Sequence, residues 1–516
     1  MDVTLITSAS YVSDELSAEF GRLPSAFLPV GHNRLYDLQL PMLEGPVHLT
    51  IPQSYAIPDA DQDRLERSGA SVLRVPDGLS LGNSVLYALA MIGGTPGAVR
   101  ILHGDTIITD LPSGLDILAV GAAPEAYEWG VVSSNGTAEA QSDVLAGYFA
   151  FADAEQFRRS LTVTQGDFVA AVNDYGALRT LTQKKVSHWL DCGHLQTYYR
   201  SRCSMRIQRA FNALEISFQT VEKTSENSSK INAEAHWFES LPPPLRLHTP
   251  AFLGRATVGA SSSYSIEYLP MPSLHELFVF STLTNSSWEK ILEACFQLMR
   301  LQLDCTTSDA QPTVIHALTA AKTNSRLQSY LDSVNLRHDA TWRYRGKAMP
   351  SLVEIAERTA SVIDMERRDF LGVMHGDLCF TNMFYDFRTQ RVKVIDPRGT
   401  IDGQDATVFG DLRYDLVKLN HSIVGAYDFI LADRYACSGF GDRDLSITFP
   451  KDSSFDRVNA IAPQFRLNGL SLSDDQITAI TIHLFLSMLP LHADNPARQQ
   501  AFVANALRLF AESFDR

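Results

Sequence analysis

The chain has 516 residues, room for about three folded domains, and its 45% hydrophobic and 20% charged content excludes disorder as the main state. Lys plus Arg number 44 and Asp plus Glu 59, and the formal net charge of −15 argues against a general nucleic-acid binder. Six scattered cysteines without a CxxC pair, no basic-then-apolar leader and no apolar run of ~18 residues read as a soluble cytoplasmic protein without membrane insertion.

In chain order, VTLITSA, VHLTI, SVLRV and VRILHGD read as buried strands, while LYDLQLPML and residues 81–92 have helical spacing. This alternation predicts an α/β domain with a largely parallel sheet. Near Arg202 the pattern changes. Ile207 to about Glu222 reads as a β-hairpin, KINAEAHWFESL as an amphipathic helix stopped by the prolines at 242–244, and SYSIEYLP as a strand with a proline stop. From Ser287 helical periodicity dominates, interrupted by VMHGDLCFTNMFYD and RVKVIDPRG. The expected domains are 1–205, a small β-rich lobe at 206–286 and a larger helical lobe at 287–516.

HGDLCFTN at 375–382, followed by KVIDPRG at 393–399, is the strongest chemical signal. Phosphoryl transfer from ATP needs a carboxylate to accept the acceptor hydroxyl's proton and oxygens to hold Mg²⁺ on the phosphates. Asp377 and Asn382 can present a base and a metal ligand from one loop, and Asp396 ends an apolar strand where a second metal oxygen belongs. Upstream, Lys223 could reach the α- and β-phosphates, with Glu234 on the following helix holding it in place. Tyr264 to Leu269 would connect the lobes, where an adenine edge meets backbone groups.

From about 206 to 516 the chain resembles the aminoglycoside phosphotransferase and choline kinase family, whose fold is protein-kinase-like, α+β and bilobal. The resemblance implies Asp377 as catalytic base, Asn382 and Asp396 as Mg²⁺ ligands, and Lys223 with Glu234 as the nucleotide-binding pair. It implies that His375 packs beneath the loop and that Asp415, in GDLRYDLVKL, supports the loop from a helix. FNALEISF stands where a Gly-rich loop would be expected.

A second ordered series comprises residues 24–43, 80–90, ILHGDTIITD at 101–110 and HWLDCGHLQTYYRSR at 188–202. Nucleotidyl transfer joins a phosphate nucleophile to the α-phosphate of an NTP, and metal-bridging carboxylates neutralise the charge. Asp105 and Asp191 are the candidates, provided that both cap adjacent strands of one sheet. Residues 1–205 resemble sugar-phosphate nucleotidyltransferases of the GT-A-like, Rossmann-related kind. That family opens with a Gly-rich loop carrying an Arg, followed by a Pro-Lys pair. Here only Gly21 and Arg22 could serve the loop, and Ser25 stands in the lysine's place. Arg22 or Arg34 could supply the missing nucleotide-binding cation, or the domain could bind a nucleotide-sugar without catalysis.

Together the resemblances imply a bifunctional enzyme of activated sugar or headgroup synthesis, of the kind that feeds surface or capsule polysaccharide. ATP would phosphorylate a small sugar, amino sugar or amino alcohol, and CTP, UTP or GTP would serve the N-terminal domain. The alternatives are a kinase whose N-terminal domain senses a nucleotide-sugar, and an antibiotic-modifying phosphotransferase. The acceptor, the NTP and the oligomeric state stay open at this stage.

Overall fold

Every residue of Val3–Thr7 (β1) is buried. A strand covered on both faces belongs in the middle of a sheet flanked by helices. Further strands of this region include Val47–Pro52 (β2), Ser71–Val75 (β3), Val99–His103 (β4), Thr106–Ile108 (β5), Ile117–Gly121 (β6), Val144–Phe151 (β7), Thr182–Lys185 (β8) and Trp189–Asp191 (β9). Seven of them form one sheet in the order β8-β6-β7-β4-β1-β2-β3. All its neighbours are parallel except β7, which runs antiparallel to both β4 and β6. The expected largely parallel α/β sheet is therefore present, with one reversed strand. SVLRV is not the buried strand it was expected to be: β3 lies at the sheet edge, where only Val75 is fully covered.

The computed structural model describes residues 2–94, 96–122, 143–206, 213–258, 261–305, 315, 319–401 and 405–515. The chain divides into two compact units, Met1–Arg206 with Phe280–Thr282, and Ile207–Val279 with Leu283–Arg516. In the first, Leu81–Ile92 (α1), Ala154–Val163 (α2) and Phe168–Leu178 (α3) begin at Ser80, Asp153 and Asp167, whose side chains each accept a first-turn N–H. Their apolar faces bury Val85, Leu89, Phe157, Leu161 and Tyr175 against Leu5, Ile101, Phe149 and Phe151 of the sheet. The strand order turns back at β1, with β2 on one side and β4 on the other. The carboxyl ends of β1 and β4 thus flank the position where open α/β sheets form a crevice.

In the second unit, Ala213–Ile216 (β10) and Thr220–Ser225 (β11) form the expected hairpin; residues 207–212 lie outside the described residues. With Phe252–Val258 (β12) and Ser261–Glu267 (β13) they make an antiparallel sheet in the order β10-β11-β13-β12. The first unit also contains the helix Leu195–Arg206 (α4). Ser228–Ser240 (α5), capped by Asn227, packs Trp237 and Phe238 inward, and Phe238 stacks on Phe252. Tyr264 was expected in a connecting segment, but it sits inside β13 opposite Lys223, and the chain leaves the sheet only after Glu267.

The helical part includes Asn285–Asp304 (α6), Ala320–Ser333 (α7), Arg413–Ile423 (α8), Asp475–Met488 (α9) and Pro496–Ser513 (α10). Leu371–Val373 (β14) leads into the HGD segment, and Met383–Asp386 (β15) with Arg391–Val394 (β16) forms a hairpin; Asp396, expected at the strand's end, lies two residues beyond it. Residues 342–344, 347–349, 436–438 and 444–448 form a further four-stranded sheet that helical periodicity did not suggest. Strands of three to five residues are too short to display a period of two, and their pairing across distant segments leaves no local signature. Among the described residues no helix is long and apolar enough to cross a membrane.

Candidate functional site

The HGD segment is held from beneath by a carboxylate. Asp415 on α8 accepts the backbone N–H of His375 and of Gly376, each at 2.7 Å. Burial pushes its carboxyl up to about 7 despite these bonds. His375 is buried too, and burial pushes its imidazole down to about 4, so it is neutral near pH 7. Its Nε2 bonds the Ile395 carbonyl at 3.0 Å, and its Nδ1 accepts from the Asp377 N–H at 3.3 Å. Trp237 meets the ring edge-on at 5.4 Å and donates to the Met374 carbonyl at 2.8 Å, which ties α5 to the loop. Gly376 has φ +80°, and a Cβ there would lie 2.7 Å from the Arg398 Cβ, so the turn admits only glycine.

Above this support, Asn382 Nδ2 donates to the Asp377 carbonyl at 3.0 Å and to its Oδ2 at 3.2 Å. Lys418, one turn beyond Asp415 on α8, places Nζ 2.8 Å from the other oxygen, Oδ1. Burial acts to raise the Asp377 carboxyl, but Lys418, His375 and Arg398 outweigh it and hold the group below its ordinary range. Lys418 has no role in the sequence-based reading. Its signal was its spacing: three residues after Asp415 it shares the helix face that meets the loop.

Asp396 follows β16 with φ +60°, a left-handed conformation uncommon for a non-glycine residue and frequent at functional sites. Lys223 of β11 bridges Asp396 and Glu234, the latter at 2.7 Å. Burial would lower the Lys223 ammonium, but Asp396 and Glu234 outweigh it and raise its pKa. Tyr264 donates its hydroxyl to Glu234 at 2.9 Å. At Gly399 (φ +67°) a Cβ would come within 2.1 Å of the Ala233 carbonyl, so the segment after Asp396 can lie against α5 only as glycine. Glu234, Asp377, Asn382, Asp396 and Lys418 line one cavity of about 770 Å³. The fold thus gathers all five residues expected in this region, although they derive from four separate stretches of chain.

In the first unit, Asp105 lies in the turn between β4 and β5, at the crevice position. The Gly104 N–H donates to the Thr7 carbonyl at 2.9 Å, and a Cβ on Gly104 would strike Ser25 Oγ at 2.7 Å. Ser25, which stands where the resemblance expects lysine, is therefore packed against Gly104, the residue before Asp105. Asp105 and Asp191 cap adjacent strands of one sheet, as expected, but that sheet is a separate two-stranded ribbon: Asp191 ends β9, which pairs with β5. The register still brings the carboxylates together, because Asp191 faces Thr106 and the Cys192 N–H donates to the Asp105 carbonyl at 2.8 Å. A Cβ built on Gly193 would lie 2.6 Å from Asp105 Oδ2 and 3.4 Å from Asp191 Oδ1, so both carboxylates converge on that glycine. Asp191 also accepts bonds from the Thr197 hydroxyl and from Gly193, with His194 Nδ1 at 3.3 Å. Burial first, and then the Asp105 charge, push the Asp191 carboxyl above its ordinary range.

The two arginines expected as replacement cations are engaged elsewhere. Arg34 is buried in an ion pair with Asp61 at 2.8 Å and donates to the Phe27 carbonyl at 2.6 Å, which removes it as a phosphate ligand. Arg22 is exposed, with its guanidinium 4.0 Å over the Tyr11 ring. Among the described residues no hydrogen bond or ion pair joins it to Asp105 or Asp191.

Among the described residues no group of three or more His, Cys, Asp or Glu is placed to hold a metal. Mg²⁺ usually takes only one or two carboxylates and completes its shell with water and phosphate oxygens. The Asp396–Asn382 and Asp105–Asp191 sets both fit that smaller requirement. Asn382 commits its amide nitrogen to Asp377, which leaves the amide oxygen for a cation.

No protein-family model and no curated protein matches this chain. Solved structures similar to it include the apo form of a thermostable mutant of aminoglycoside phosphotransferase APH(4)-Ia, at 10% identity over 58% of this chain and 88% of that one, TM-score 0.36. Aminoglycoside-3'-phosphotransferase of type VIII is similar at 12% identity over 55% and 97%, TM-score 0.30. HddC from Yersinia pseudotuberculosis is similar at 13% identity over 40% and 99%, TM-score 0.28. Scores this low decide no chemistry, which rests on the side chains described above.

Proposed function

We propose that the second unit is an ATP-dependent phosphotransferase of protein-kinase-like fold, acting on a hydroxyl group of a small molecule. One observation carries this reading: Glu234, Asp377, Asn382 and Asp396 line one cavity, with Lys223 bridging Glu234 and Asp396 and with Asp377 held ionised by Lys418. In the reaction, the acceptor oxygen attacks the γ-phosphorus of ATP, the bond from that phosphorus to the bridging oxygen breaks, and ADP leaves. Asp377 accepts the hydroxyl proton. Lys223, oriented by Glu234, neutralises phosphate charge from the sheet side. Asn382 and Asp396 would hold Mg²⁺, whose chemistry when bound is to neutralise charge on the phosphates.

For the first unit we propose a GT-A-like nucleotidyltransferase domain that uses Asp105 and Asp191 on an NTP and a phosphorylated intermediate. The supporting observation is the like-charge pair itself. Two carboxylates converging on one glycine, one of them pushed up by burial and by its neighbour, form a set that a divalent cation would relieve. Binding of a nucleotide-sugar without turnover is a second reading, favoured by Ser25 in the lysine position and by the commitment of Arg34 to Asp61. Incubation of the full chain with Mg²⁺, ATP, CTP, UTP or GTP and candidate sugars separates the two. Pyrophosphate release lost in Asp105→Ala supports transfer, and nucleotide-sugar binding by calorimetry with no pyrophosphate from any NTP supports the second reading.

A further inference from the structure

The cavity around Asp377 has two chemically different sides. Its carboxylates are already matched by ammonium groups: Glu234 and Asp396 share Lys223 of the sheet, and Asp377 is paired with Lys418 of α8. The opposite wall comes from the helical part, where α7 packs on α9 and on the turn at 489–492. Lys322 and Arg326 stand four residues apart on α7 and both line the cavity, so one helix face presents two cations to it. Arg326 Nη1 donates to the Ser487 carbonyl at the end of α9 at 3.3 Å, which fixes the side chain across the helix pair. Beside these cations the wall is lined by Leu484, Ser487, Met488, Leu491 and His492, and among the described residues it contributes no Asp or Glu.

An acceptor bearing an ammonium group needs carboxylates to receive it, and among the described residues the carboxylates lining this cavity are Glu234, Asp377 and Asp396, each already paired with a lysine. An ammonium placed against α7 would face like charge. A phosphate or carboxylate there would gain charge-assisted hydrogen bonds, and guanidinium has the planar fork that suits both. Resting on the phosphotransferase reading, we infer that the acceptor is anionic: a hydroxylated small molecule already carrying a phosphate or carboxylate, which Arg326 holds while Asp377 receives its hydroxyl proton. Of the acceptors considered from sequence, amino sugars and amino alcohols are thereby disfavoured.

The test uses the full chain with Mg²⁺ and ATP, reading ADP release for four matched acceptor sets: sugar monophosphates, sugar acids, neutral sugars and amino sugars. The expected result is a kcat/KM for one anionic set at least about 100-fold above that of the amino sugars, the identity of that set distinguishing phosphate from carboxylate. Arg326→Gln should raise the KM for the anionic acceptor about 10- to 100-fold with the KM for ATP unchanged, and Arg326→Lys should recover part of it. The unchanged KM for ATP also shows that the variant is folded. A preference for amino or neutral sugars, with ADP release abolished by Asp377→Ala, would overturn this inference and leave the phosphotransferase reading intact. So would an Arg326→Gln defect confined to ATP. Release of no ADP with any acceptor would overturn the phosphotransferase reading itself, and this inference with it.

Discussion

Around Asp377 and Asp396 each carboxylate meets a lysine, whereas around Asp105 and Asp191 the two carboxylates meet each other. The difference shows in the charges: Asp377 is held below the ordinary carboxylate range, and Asp191 is pushed above it. In the second unit the ionised carboxylate is built into the fold, by a lysine on α8 and an asparagine in the same loop. In the first, the fold brings like charges together and leaves their compensation to whatever binds. A site of the former kind should be preorganised before any ligand arrives; one of the latter kind should respond to a cation.

Substitutions at each centre can break this contrast. The largest effect is expected for Asp377→Ala, which should lower the rate of ADP release about 10³- to 10⁴-fold with little change in melting temperature. Asp105→Asn comes next: nucleotidyl transfer should fall at least about 100-fold. Without Mg²⁺ the same variant should be as stable as the parent or more so, by on the order of 1 kcal/mol, because the charge that repels Asp191 is gone. Thermal melting with and without Mg²⁺ checks this, since the parent should gain stability from the cation and Asp105→Asn should gain less.

Lys418→Met should lower kcat about 10-fold and change its pH profile. A carboxyl held below its usual range stays ionised until the pH falls through that lowered value, so the parent should be flat on its acid side from about pH 8 down to about pH 5. With Lys418 gone, the effect of burial is less opposed, the Asp377 pKa rises, and the acid limb should move toward neutrality. The smallest effect is expected for Asp415→Asn, where one of two acceptors for the His375 and Gly376 N–H groups is lost. Denaturant unfolding should show a loss of about 1–2 kcal/mol.

Much of this was legible in the sequence wherever a local pattern carried it. The helix at 81–92 has the bounds that its spacing implied, and residues of both HGDLCFTN and KVIDPRG line one cavity. Other features depended on contacts between distant segments. Asp191 reaches Asp105 from a two-stranded ribbon, an arrangement no run of residues announces. Arg34 offered itself as a cation until Asp61 was found to occupy it, and Tyr264 was assigned to a connection although its hydroxyl is bonded to Glu234 inside the sheet. Lys418 was visible in GDLRYDLVKL, one turn beyond a residue already given a task, but its meaning required the helix to be seen against the loop.

The central claim is that the second unit transfers phosphate from ATP to a hydroxyl group through Asp377. Phosphorus NMR of the full chain with Mg²⁺, ATP and the acceptor sets tests it most directly. The expected spectrum shows ATP converting to ADP together with a new phosphomonoester resonance, and neither change in Asp377→Asn. ATP persisting unaltered with every acceptor, or a new phosphomonoester formed equally well by Asp377→Asn, would contradict it.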